Sequence, residues 1–180
     1  MLALGLDIST SCTGYALIDV ETAALMTLGW IDTSKDAGAY AKAEHVRTRL
    51  LELPRPSFIV VEEHVLGFRA GSSTAGTIVT LAKFNAVVSY VCARDLGIDP
   101  VSLQVMTARR LVGLKVPRGS NAKEHVIAWA QMKEPGEWWK TRTLKSGPRR
   151  GQVVLDGGCD DAADALLLVH AAHLNSMLIR

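Results

Sequence analysis

The sequence predicts an α/β fold with a five-stranded mixed sheet. Three observations carry this. Three short apolar or alternating runs follow one another closely at the start of the chain. Two more β-rich runs come later, separated by segments of helical periodicity. The closing segment is again helical and strongly apolar.

Residues 2–7 (LALGLD) read as a strand buried on both faces, residues 13–20 (TGYALIDV) alternate as a second strand, and residues 24–31 (ALMTLGWI) form a third. Their short links suit antiparallel hairpins. Residues 37–53 have helical periodicity and are closed by Pro54 and Pro56. Residues 58–63 (FIVVEE) are a compact β-branched strand ending in acid. After a glycine-rich stretch, residues 74–96 predict a long helix, residues 100–106 a last strand, and residues 107–113 and 120–132 two helices. Residues 133–158 combine Pro, Gly, paired Trp and many charges and predict a mobile loop. Residues 159–175 close the chain as a core helix. No internal repeat is visible, so the 180 residues predict one domain.

At 48% hydrophobic, the chain can bury a substantial core. Cys12, Cys92 and Cys159 form no disulfide or zinc pattern, which points to a reducing, cytoplasmic setting. The N-terminal apolar run is too short for a signal peptide or membrane span, and no membrane partner is expected. The net charge of +2 hides an asymmetry: residues 107–150 hold 11 Lys and Arg against 3 Asp and Glu. The remainder of the chain is acidic. Such a division suits a protein that grips phosphate with one region and holds cations with another. An ordinary solvated surface is the plainer alternative.

The acids give the division a chemistry. Asp7 ends the first strand, where a carboxylate is costly unless paired or bound to metal. Ser9, Thr10, Ser11 and Gly14 follow as a small-residue turn. Glu62 ends the strand after Ile59, Val60 and Val61. Its neighbour Glu63 points to the opposite face, so at most one of the two joins Asp7. Asp161 and Asp164, three apart, lie on one face of the last helix. Capping explains Asp160 or Asp161 well but Asp164 poorly, because that residue already leads into the apolar helix. Carboxylates converging in a crevice repel one another and call for a divalent cation. Oxygen ligands select magnesium, with manganese as a substitute, over zinc. Two such ions activate a water and stabilise the leaving oxygen of a phosphodiester.

The pieces LGLDISTSCTGYALI, PSFIVVEE and DDAADALLLVHA, in this order and over most of the chain, resemble RuvC-type Holliday junction resolvases of the RNase H-like superfamily. The resemblance implies an RNase H-like fold with helices on both faces of the sheet. It also implies metal-binding catalytic acids at Asp7, Glu62, Asp161 and Asp164, and a homodimer that nicks opposed strands of branched DNA. It places Lys123, at a helix start, where the family carries a base that helps hold the scissile phosphate. The family commonly has Pro-Gly after the first aspartate; here the pair is Ile8-Ser9. That departure and the basic loop suit a divergent, bacteriophage-type member acting in a bacterial or infected-host cytoplasm.

Arg109, Arg110, Lys115 and Arg118 are candidates to track a DNA backbone. Arg142, Lys145, Arg149 and Arg150 are candidates to order on DNA. Phe68 reads either as a wedge at a junction centre or as a buried loop anchor. Trp138 and Trp139 read as base-stacking residues or, better, as anchors of their own loop. His64, His170 and His173 read as core or surface histidines. The helix over 74–96 is a candidate dimer contact or a core helix. Other readings are an RNase H-like nuclease for flaps, RNA–DNA hybrids or ribosomal RNA precursors, a silent DNA-binding module, and an actin-like phosphate-binding kinase. The last needs two lobes, more than this length supplies.

Overall fold

A computed structural model describes residues 1–63 and 75–175. The sheet is built from β1 (Leu2–Ile8), β2 (Cys12–Asp19), β3 (Leu25–Asp32), β4 (Phe58–Glu62) and β5 (Val101–Leu103), in the order β3-β2-β1-β4-β5. The first three strands are antiparallel neighbours, while β4 and β5 join in parallel, so the sheet is mixed. The helices are α1 (Gly38–Leu51), α2 (Ala75–Val91), α3 (Val105–Leu111), α4 (Ala122–Lys133) and α5 (Cys159–Leu174).

Strand alternation divides the core in two. Leu4, Leu6, Ile8, Ile59 and Val61 face α1 and α2, packing with Val46, Leu50, Phe84 and Val88. Ala3, Ala16, Ile18 and Val60 face α3, α4 and α5. Helices therefore cover both faces. α5 is buried almost all round, lying between the sheet and α3 and α4, which explains its apolar composition.

Several boundaries differ from the sequence reading. The predicted strand over 100–106 is only three residues long. Its pairing with β4 ends at Leu103, and the chain turns at Gln104 into α3, which seats Ala108 in the core. Among the described residues, the long helix is α-helical to Val91. It then widens into a π turn, Cys92–Leu96, ended by Gly97 at φ 70°. Asp95 in that turn accepts from Arg47 of α1 at 2.8 Å, tying the two helices together. The segment Ala75–Leu96 is long and apolar enough to cross a membrane by composition, with a mean hydropathy of 1.4. Here it lays Phe84, Val88 and Cys92 against the sheet. Within residues 133–158, two short strands, β6 (Thr141–Thr143) and β7 (Val153–Leu155), pair as an antiparallel hairpin.

Candidate active site

The site forms where α5 crosses β1 and β2. Two glycines permit the crossing. A Cβ at Gly5 would overlap the Ala165 carbonyl, and one at Gly14 would overlap the Asp161 backbone. Gly14 is also the register partner of Asp7. The contact that seats the first turn of α5 on β2 therefore brings Asp161 and Asp164 to Asp7. Trp30 packs over Gly158, immediately before the helix.

Glu62 arrives from the other side. Leu6 pairs with Val61 in the parallel ladder, so Asp7 and Glu62 stand side by side one step further on. Glu62 shares the strand face of Val60, which is the face α5 covers. Glu63 is exposed, and its amide donates to the Leu103 carbonyl at 3.0 Å. Strand parity thus selects Glu62 over Glu63.

The Asp7 carboxyl feels the charges of all three other acids. Burial, followed by the charges of Asp164, Glu62 and Asp161, holds the Asp7 carboxyl well above the usual range; when protonated it donates to Glu62. Asp164 is pushed up to about 7 by burial and then by Glu62, with Arg109 and Lys123 pulling the other way. Burial also raises Asp161, partly offset by the nearby Cys12 thiol. That thiol is itself raised by burial and by Asp161. Clustered acids of this kind are carboxylates that a cation would relieve.

The donors are all oxygen, which fits magnesium or manganese. Among the described residues, no three such side chains converge as a ready-made metal cage. Magnesium fits such a crevice, because it usually keeps several waters and takes one or two carboxylates plus substrate phosphates.

Two cations border the acids. Lys123 is exposed near the start of α4, where the Asn121 side chain caps the helix by accepting from the Lys123 amide at 3.1 Å. Its Nζ lies 2.6 Å from Asp160, and Asp161 and Asp164 also favour its charged form. Asp160 therefore turns toward Lys123, while Asp161 turns toward Cys12. Arg109 has a buried Nε with no hydrogen-bond partner among the described residues.

Arg110, Lys115, Arg118, Arg142, Lys145, Arg149 and Arg150 are all exposed. Arg142 approaches Asp156 at 3.7 Å. Trp139 donates through Nε1 to the Glu134 carbonyl at 2.8 Å, and both Trp138 and Trp139 pack against the core, as loop anchors do. His170 is buried, stands edge-on to Trp129 and is lowered to about 4 by burial; it lies outside the acid set. Phe68 and His64 lie outside the described residues.

Cys12 and the proximity of Arg109 to Asp164 were not singled out from the sequence. For Cys12 a signal existed: it shares the strand parity of Gly14, Ala16 and Ile18, the face that receives α5.

No protein-family model matches the chain, and no curated protein matches it. Solved structures do. T. thermophilus RuvC in complex with Holliday junction substrate is similar at a TM-score of 0.66 and 19% identity, over 98% of this chain and 95% of that one. The yeast mitochondrial Holliday junction resolvase matches at 0.61 and 14%, over 98% and 79%. The fowlpox virus resolvase, solved with substrate Holliday junction DNA, matches at 0.52 and 16%, over 99% of both chains. At these identities the likeness is one of fold: the chain has the RuvC-type form of the RNase H-like fold.

Proposed function

We propose that the protein is a magnesium-dependent endonuclease that resolves four-way and related branched DNA. The observation that carries the reading is the gathering of Asp7, Glu62, Asp161 and Asp164 at one crossing, with Asp7 and Asp164 held above their ordinary range. Asp7, Glu62, Asp161 and Asp164 are the residues that would hold Mg2+, with Mn2+ as a substitute. When bound, two such ions activate a water and stabilise the leaving oxygen of a phosphodiester.

The chain's own residues set the stage for that chemistry. The sheet ends fix the backbones of Asp7 and Glu62, and α5 those of the other two acids, so side-chain adjustment is what remains for them to close on a metal. The Cys12 thiol lies near Asp161 and favours its ionised form. Lys123, exposed and resting on Asp160, exchanges that carboxylate for a phosphate oxygen of the strand being cut. Arg109 adds positive charge beside Asp164. The exposed bases of residues 107–150 supply the remaining grip.

The enzyme acts as a homodimer in this reading, giving one site for each of two opposed strands. The face formed by α1 and α2 supports it. Tyr40, Val79 and Tyr90 are exposed there, and a groove of ≈ 480 Å³ runs between the helices. Solvent-facing apolar side chains on so apolar a helix suit a second copy of the chain. A cytoplasmic location accompanies the proposal.

The test is a cleavage panel with Mg2+ on labelled four-way, three-way, flap, RNA–DNA hybrid and linear duplex substrates. The expected result is preferred cutting of the four-way junction at two opposed strands. Asp7→Asn and Asp161→Asn should each reduce cutting by roughly a hundredfold or more while junction binding persists. Equal cutting of linear duplex removes the branch selectivity, and cutting that survives Asp7→Asn removes the site.

A further inference from the structure

A second concavity adjoins the acid crevice. The last turns of α3 and the chain that follows it enclose a pocket of ≈ 310 Å³. Gly113, at φ 73°, reverses the chain, and the Leu114 amide donates to the Arg109 carbonyl at 2.8 Å, fixing the pocket wall. Met106, Leu114 and Val116 give it apolar surfaces, and Arg109, Arg110 and Lys115 add three cations. Met106 is 66% exposed, so its thioether surface is open to a ligand.

Arg109 links this pocket to the acids. Its charge acts on Asp164, while its Nη1 reaches toward the Met106 sulfur at 3.9 Å. An apolar slot rimmed by cations is complementary to a nucleotide. The base lies on thioether and aliphatic surfaces, and the phosphate meets the guanidinium and ammonium groups. Taking a base out of its stack costs free energy, least where pairing is already disturbed, as at a branch point.

We propose that this pocket receives one unstacked nucleotide next to the branch point, which makes it a positioning site for the strand entering the acid crevice. The inference rests on the nuclease reading above. Binding of a nucleotide here would fix the register of the strand, so the pocket helps decide which phosphodiester lies over the acids.

The test uses four-way junctions in which a single abasic residue is moved through the positions around the branch, with binding measured in Ca2+. For the wild-type protein, one position should weaken binding about fivefold or more when its base is removed. Met106→Glu, exposed enough to leave folding intact, should weaken binding of the unmodified junction by a similar factor. The abasic substitution should then cost little further. Met106→Ala, which removes the thioether surface without changing the charge, should also reduce the abasic effect, which a loss of net positive charge alone would not explain. If no abasic position matters, or if the abasic and Met106→Glu effects simply multiply, the pocket does not hold a base. Wild-type protein that binds and cuts the junction without positional dependence overturns the pocket alone. Wild-type protein that neither binds nor cuts branched DNA overturns the pocket and the nuclease reading together.

Discussion

The acid crevice and the basic segment are built by opposite means. Asp7, Glu62, Asp161 and Asp164 project from elements whose neighbouring side chains, among them Leu6, Ile8, Val61, Ala162 and Ala165, are buried. Their positions follow from core packing. Arg142, Lys145, Arg149 and Arg150 lie on or beside a two-stranded hairpin and are exposed, with Trp138 and Trp139 anchoring the segment. If the proposed function holds, the contrast teaches that chemistry is coupled to stability while grip is not. Substitutions at the crossing should alter folding and cutting together. Substitutions in the basic segment should alter affinity and leave folding untouched.

Gly14→Ala tests the first half of this contrast and should have the largest effect on stability. The added Cβ would overlap the Asp161 backbone, and neither β2 nor α5 can move without disturbing buried neighbours. Overpacking of this kind costs about 1–3 kcal/mol and occasionally more; backbone on the opposing side puts Gly14→Ala at the upper end. Thermal melting should show the loss. Whatever folded protein remains should cut poorly, because lifting α5 from β2 separates Asp161 and Asp164 from Asp7. A variant of unchanged stability and activity would mean that α5 is not held by this crossing.

This coupling also explains what could be read without coordinates. Alternation along FIVVE separates Glu62 from Glu63, and helical spacing sets Asp161 with Asp164, so a local pattern carries most of the acid set. The five strands and the helices emerge from the same periodicities. The end of β5 does not: Val105 and Met106 suit a strand by composition, yet partner length on β4 stops the ladder at Leu103. Cys12 and Arg109 are harder to place for another reason. Their significance comes from which helix docks on which face, a tertiary fact with no short sequence signature. The basic segment shows its charge in sequence, but its hairpin depends on pairing between residues ten or more apart.

A pH dependence sharpens the comparison by a smaller amount. Asp164 moves from 3.8 to about 7, and Asp7 and Asp161 move in the same direction. Raised carboxyl values mean that the folded protein binds more protons than the unfolded chain between pH ~4 and ~7. Metal-free stability should therefore be greatest near the acid end of that window and fall as pH rises through it. Asp164→Asn removes one buried charge. At pH 8 without metal it should stabilise the fold by on the order of 2 kcal/mol, discounted from ~1.4 kcal/mol per pKa unit because the crevice retains some solvent. Melting of both proteins at pH 5 and pH 8 in chelator checks the sign. Added Mg2+ should narrow the gap by relieving the wild-type acids. A wild-type melting temperature that rises from pH 5 to pH 8 in chelator would contradict the proposed repulsion.

The smallest effect belongs to the basic segment and tests the second half of the contrast. Arg149 and Arg150 are exposed beside the hairpin, and no ion pair to either is found among the described residues. Replacing both with alanine should shift thermal stability by no more than about 0.5 kcal/mol, as surface changes usually do. If each contacts one phosphate, the double variant should bind junction DNA more weakly. Its salt dependence should flatten by about 2 in the slope of log K against log[salt]. Cutting at saturating protein should be unchanged, because neither residue is placed near the acids. A flattened slope with unchanged saturating rate separates grip from chemistry. An unchanged slope would assign the phosphate contacts instead to Lys115, Arg118 and Lys123, drawing the DNA closer to the crevice. A lower saturating rate with normal affinity would show that the hairpin reaches the reacting strand, and the division between buried chemistry and exposed grip would no longer describe how this protein works.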